Sequence, residues 1–139
     1  CQALATTRDI LRDWVTRHPD SYPPTVLNIT DGEANDGDPL PIAQSLREVQ
    51  TSDGPVLLFN CHLSAKRGPQ VQFPATSEGL VDAFAVMLFD MSSELPPAQL
   101  EAAHAEQFSV TQGSRGFIFN AELADLIRFI DIGTRATLR

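Results

Sequence analysis

Asp31 is the residue of this sequence best placed to do chemistry. It closes the run Thr25-Val26-Leu27-Asn28-Ile29-Thr30-Asp31-Gly32-Glu33, where a short apolar stretch breaks off into an acidic turn. Apolar and β-branched residues over that length read as a strand, and Asp-Gly as the turn that stops it. A carboxylate therefore stands at the carboxyl end of a buried strand, where open α/β sheets leave a ligand crevice. There it can be an oxygen ligand to a hard cation. It can also be the nucleophile or Mg²⁺ ligand of an α/β hydrolase or phosphotransferase. That second use needs another acid or a base nearby, and the chain offers no convincing one.

The remaining candidates are weaker. In the acidic loop 31–38, Asp31, Glu33 and Asn35 alternate as calcium ligands do, but the sixth position is Asp36 and the twelfth is Ile42. An EF-hand needs glycine and glutamate there, so these acids read as turn residues and a helix cap. Cys61-His62 lies at the end of the next apolar run, on the same expected rim as Asp31. Neighbouring side chains on a strand point to opposite faces, so the two do not form a nucleophile pair. His62 reads as a structural or rim residue, with contact to a partner or an indirect role at the site as the alternative, and Cys61 as a buried free thiol. His18, His62 and His104 fall on distant elements, against zinc. Gly113 and Gly116 flank Ser114-Arg115 ahead of a strand, the reverse of a phosphate loop.

The elements that must position these residues follow from periodicity. Residues 2–17 place Ala3, Thr7, Ile10, Leu11, Trp14 and Val15 on one helical face, which predicts a largely buried Trp14. The strand 25–30 comes next, suited to burial on both faces. Asp38 is an expected N-cap, with Pro39 in the first turn of a helix carrying Ile42, Ala43, Leu46 and Val49. Val56–Cys61 reads as a central strand of a parallel sheet, completing a βαβ unit. Ser77 is expected to open a helix that ends before Pro96-Pro97, followed by a shorter one around 97–107. A last strand, Gly116–Phe119, leads through Asn120 as a cap into a helix stopping at Gly133. The order α-β-α-β-α-α-β-α predicts one α/β domain over residues 1–139, a layered fold with a mainly parallel sheet.

Composition narrows the partners. Ten Lys and Arg against eighteen Asp and Glu give a net charge of −8, which excludes a phosphate-backbone binder as the expected class. Hydrophobic residues make up 42% of the chain, enough for a core, yet no apolar run is long enough for a membrane span. Two cysteines far apart favour a reducing, cytoplasmic setting. The chain opens on Cys1, and only three strands are expected where an open α/β sheet usually has more. A first part of the domain is therefore expected ahead of it, and a bare strand 25–30 would invite dimerisation through its edge.

With these elements in place, Val26-Leu27-Asn28-Ile29-Thr30-Asp31-Gly32-Glu33 resembles the hydrophobic strand ending in Thr-Asp-Gly of von Willebrand factor type A (VWA) domains, of bacterial type. The resemblance covers essentially the whole chain as the second half of such a domain. It implies a Rossmann-like three-layer sandwich lacking its first strands. It also implies a non-catalytic protein-interaction module with a metal-ion-dependent adhesion site. In that family Mg²⁺, or Mn²⁺ or Ca²⁺ in its place, sits above the sheet and offers an open position to a partner carboxylate. Its ligands come from an Asp-x-Ser-x-Ser motif, a loop Thr and the strand-end Asp. Asp31 matches the last; Thr30 and Gly32 shape its turn, and Glu33 and His62 are rim contacts for the partner. No Asp-x-Ser-x-Ser occurs here, and Asp90-Met91-Ser92-Ser93 lacks the spacing. The resemblance thus implies a metal site incomplete in this chain. A VWA-like scaffold that binds without metal is the other reading it leaves open.

Overall fold

The sheet is built on β4 (Leu57–Leu63), whose residues Leu57 to Cys61 are all buried. A strand of that kind needs cover on both faces. The computed structural model, which describes residues 2–31, 38–63, 69–80 and 82–134, supplies it with five helices. They are α1 (Gln2–Arg17), α2 (Leu40–Arg47), α3 (Ala83–Met91), α4 (Pro97–Ala105) and α5 (Leu123–Thr134). The other strands are β1 (Thr25–Thr30), β2 (Gln50–Thr51), β3 (Gly54–Pro55), β5 (Val71–Gln72) and β6 (Phe117–Ala121). The main sheet has the order β1-β4-β6-β5, parallel except for β5, while β2 and β3 form a separate small hairpin. This is an α/β fold with a mostly parallel sheet, compatible with a Rossmann-like architecture. None of its described helices is long and apolar enough to cross a membrane.

Strand alternation divides the core into two layers. Leu57, Phe59, Cys61 and Ile118 face Ala103 of α4 and Phe129 and Ile132 of α5. Leu58 and Phe117 face Leu4 of α1, Ala43 and Leu46 of α2, and Leu88 of α3. One polar residue interrupts the second layer. Asn60 is fully buried; its side-chain amide donates to Ser92 Oγ at 2.8 Å, and its carbonyl oxygen accepts from Asn28 Nδ2 at 2.9 Å. Ser93 Oγ accepts the backbone N–H of Leu58 at 2.9 Å. These bonds join β1, β4 and the end of α3 at the positions where the β1–β4 register pairs Asn28 with Asn60.

Several expectations are corrected by packing. β1 is an edge strand among the described residues, so it is only half-buried and Ile29 is 42% exposed. On α1 only Leu4 is buried; Ile10 is 62% exposed, and Trp14 is half-buried beside His18. The reason is that α1 packs chiefly on α2, where Arg8 and Arg12 both reach Ser45 Oγ, and not flat on the sheet. Pro39 takes the N-cap place of α2, although Asp38 Oδ1 still accepts from Leu40 N at 3.1 Å. α3 starts at Ala83 because Asp82 caps it, accepting from Phe84 N and Ala85 N. Ser77 lies in a turn before it. At α5 it is Asp125 that accepts the Glu122 N–H at 3.1 Å, as the third residue of a capping box does. Leu123, Ile127 and Ile130 of that helix are exposed.

Gly133 does not stop α5 but lies within it, where a Cβ would stand 2.7 Å from Leu27 Cδ2. At Gly116 the constraint is harder, since a Cβ would meet Phe59 Cδ1 at 2.2 Å. The Phe59 ring is 1% exposed and packed edge-on against Phe129, so it has nowhere to go. Gly116→Ala is expected to destabilise the chain by about 1–3 kcal/mol or more, and Gly133→Ala by less, because Leu27 ends in a flexible side chain. Urea unfolding measures both; an equal or larger loss for Gly133→Ala would refute this account of the core.

Candidate functional site

Parallel pairing of β1 with β4 runs without interruption from Thr25–Leu57 to Thr30–His62. It therefore delivers Thr30, Asp31 and His62 to one rim, at the carboxyl ends of the strands. Asp31 sits in the bend after β1 and is exposed, Thr30 and His62 are half-buried. Gly32 and Glu33 lie outside the described residues, as do most of the acidic loop and Ser64, Lys66 and Arg67. Of the other chemical candidates, Cys61 points into the core with no exposure, and burial, reinforced by Asp125, pushes its thiol up to about 12. It is a packing residue. His18 lies against Trp14 and His104 on the exposed side of α4, both away from this rim.

The imidazole of His62 is held by an irregularity in β6. Cys61 pairs with Ile118 and Leu63 with Ala121, so one residue of β4 faces two of β6, Phe119 and Asn120. That is a β-bulge, a device that leaves one residue out of the ladder and turns the local chain. Asn120 takes a φ of 58°, which asparagine tolerates better than most residues. Its backbone N–H donates to His62 Nδ1 at 3.2 Å, and its side-chain amide donates to the Pro69 carbonyl at 3.0 Å. Asn120 is thus a bulge residue and not the helix cap expected from sequence. The ring of His62 stacks on Phe119, with centroids 4.4 Å apart, and meets Phe84 edge-on at 5.8 Å.

Because Nδ1 accepts, neutral His62 carries its proton on Nε2. Burial pulls the imidazole below the ordinary histidine range, while the carboxylates of Asp82 and then Asp31 pull it back up. Two acids therefore act on the ring. Behind Thr30 a small pocket of about 200 Å³ opens between α1, β1 and α3, lined by Leu4, Asn28, Thr30, Phe84 and Met87 among others. The rim thus combines exposed carboxylates, a fixed N–H donor and an apolar recess. Among the described residues no three His, Cys, Asp or Glu side chains come together as a metal-holding group. Asp31 is an oxygen donor of the type Mg²⁺ takes, but with waters alone it is one ligand where several are needed.

Sequence reading missed Asp82, Phe84, Phe119 and Asn120 as rim residues. Asp82 carried a signal, an Asp placed directly before an apolar helical run. The bulge carried none, since it exists only through pairing between distant strands. The chain matches no protein-family model, no curated protein and no solved structure.

Two measurements test this geometry. The folded pKa of His62 lies below that of the unfolded chain, about 6.5, so the unfolded state takes up the proton first. The contribution is complete above pH about 6.5 and is lost as pH falls below it. Denaturant melts between about pH 7.5 and 5.5 should show that fall. His62→Asn, which keeps an acceptor near the Nδ1 position, should lessen it; identical slopes would count against the half-buried neutral ring. Separately, Cys61 should resist alkylation by iodoacetamide until the chain unfolds, as peptide mapping would reveal.

Proposed function

We propose that the chain is the carboxy-terminal portion of a VWA-like domain of bacterial type, acting as a non-catalytic protein-interaction module. Its partner docks on the rim of Asp31, Thr30 and His62, through a divalent cation for which Asp31 is one ligand. The observation that carries the reading is β1 itself: a parallel strand of an open sheet ending in Thr30-Asp31, with its outer edge unpaired among the described residues. A cation there would supply a positive centre for a partner carboxylate. The other ligands come from elsewhere in this reading, because among the described residues no three His, Cys, Asp or Glu side chains gather around Asp31. In this reading they arrive with a strand that pairs with the free edge of β1; in its absence a second copy can take that edge. The Nε2–H of His62 and the recess behind Thr30 supply contacts that do not depend on the metal.

Calorimetric Mg²⁺ titration of this chain beside its full gene product tests the proposal. Saturable binding is expected in the longer form, with Asp31→Ala weakening it at least roughly tenfold, as loss of a direct ligand should exceed loss of an outer-shell partner. Partner capture should become insensitive to Mg²⁺ in that variant while its thermal melt stays unchanged. Mg²⁺-dependent capture that survives Asp31→Ala would sink the assignment, and binding in neither form would leave a scaffold that works without metal.

A further inference from the structure

The opposite rim of the sheet, at the amino ends of β4 and β6, carries a second concave site. A cleft of about 550 Å³ opens there, lined by Gln44, Arg47, Glu48, Ser93, Glu94 and Arg115 among others. Arg47 ends α2 and Arg115 precedes β6, yet the two converge. Arg47 Nη1 donates to the Asp90 carbonyl at 3.3 Å, and Arg115 Nη1 to the adjacent Phe89 carbonyl at 3.0 Å. Arg115 also lies over the Phe89 ring, 4.2 Å from its centre. Both guanidiniums are thereby tethered to the carboxyl end of α3. Among the described residues neither forms an ion pair within 4.0 Å of a carboxylate.

Two half-buried cations held together repel one another. Burial and then the neighbouring Arg115 lower the pKa of Arg47, with Glu94 opposing. The helix end offsets only part of this, since a helix carboxyl terminus is worth roughly half a negative charge. Glu48 and Glu94 are both exposed, where solvent weakens their pull. Each guanidinium has five N–H donors in a fixed fork, and the bonds described use one of each. We propose that this cleft is an oxyanion site, in which Arg47 and Arg115 together clamp a phosphate group. Forked donors match phosphate oxygens in pairs, and two forks arriving from different elements suit a tetrahedral anion with several oxygens. The volume lies within the usual range for small-molecule sites, so a phosphomonoester fits as well as the free ion. With a net charge of −8 the chain gives no long-range help, so capture rests on these contacts. The site lies away from Asp31 and does not depend on a cation.

The test is a titration of the full chain with inorganic phosphate in EDTA, at ionic strength matched with sodium chloride. It is followed by calorimetry and by thermal unfolding. Saturable binding with a matching rise in Tm is expected. Arg47→Lys and Arg115→Lys keep the charge and the reach to the α3 carbonyls but lose the fork. Each should weaken phosphate binding at least tenfold while melting like the parent without phosphate. Arg17→Gln, which removes the exposed pair with Asp13, should bind as the parent does. Phenyl phosphate in a parallel titration distinguishes the source: tighter binding than inorganic phosphate means a monoester, weaker means the free ion. No saturable binding, or equal binding in the two lysine variants, would overturn the site and leave the arginines as caps of α3.

Discussion

The side chain of Asn60 is the constraint around which the rest of the sheet is arranged. It sits without exposure in the central strand, between Phe59 and Cys61, where any unpaired amide atom would cost about 1–3 kcal/mol. Its two ends are answered from different elements, by Asn28 of β1 and by Ser92 just past α3. The answer from Asn28 is available in only one register of β1 against β4. A slip of one residue would turn Asn28 to the other face and strand the amide. The polar chain thus locks β1, a strand whose own burial is modest.

That lock is what gives the carboxyl rim its shape. With the register held, Thr30 stands opposite His62 and Asp31 follows at once. On the far side of His62 the pairing with β6 breaks into a bulge, and the N–H released from the ladder is taken by the imidazole. The same irregularity that interrupts the sheet therefore fixes the tautomer and orientation of the one histidine on the rim. It is an oriented donor in the field of two carboxylates, and its neighbour Cys61 points the other way into the core.

The two ends of the strands differ in charge chemistry. At the carboxyl ends His62 feels the carboxylates of Asp82 and Asp31; the amino ends gather Arg47 and Arg115 at the terminus of α3. Parallel strands produce this separation naturally, because all of them begin at one edge and finish at the other. The glycines inside the fold serve the same compactness, Gly116 by letting the Phe59 ring lie against β6 and Gly133 by letting α5 settle on Leu27.

The sequence by itself determined the elements whose pattern is local. The runs at 25–30 and 56–61 were legible as strands because apolar and β-branched residues predominate in them, although only the second is buried on both faces. Proline and Asp-Gly punctuation marked their ends. Asp31 was legible for the same reason, as the acid that stops a strand. Only tertiary structure decided which α1 residues turn inward, since an amphipathic stripe does not say whether it meets a sheet or another helix. The bulge at Asn120, the burial of Asn60 with Ser92, and the meeting of Arg47 with Arg115 were likewise out of reach. Each joins residues far apart in the chain, and their proximity comes from strand pairing and helix packing that no local spacing encodes.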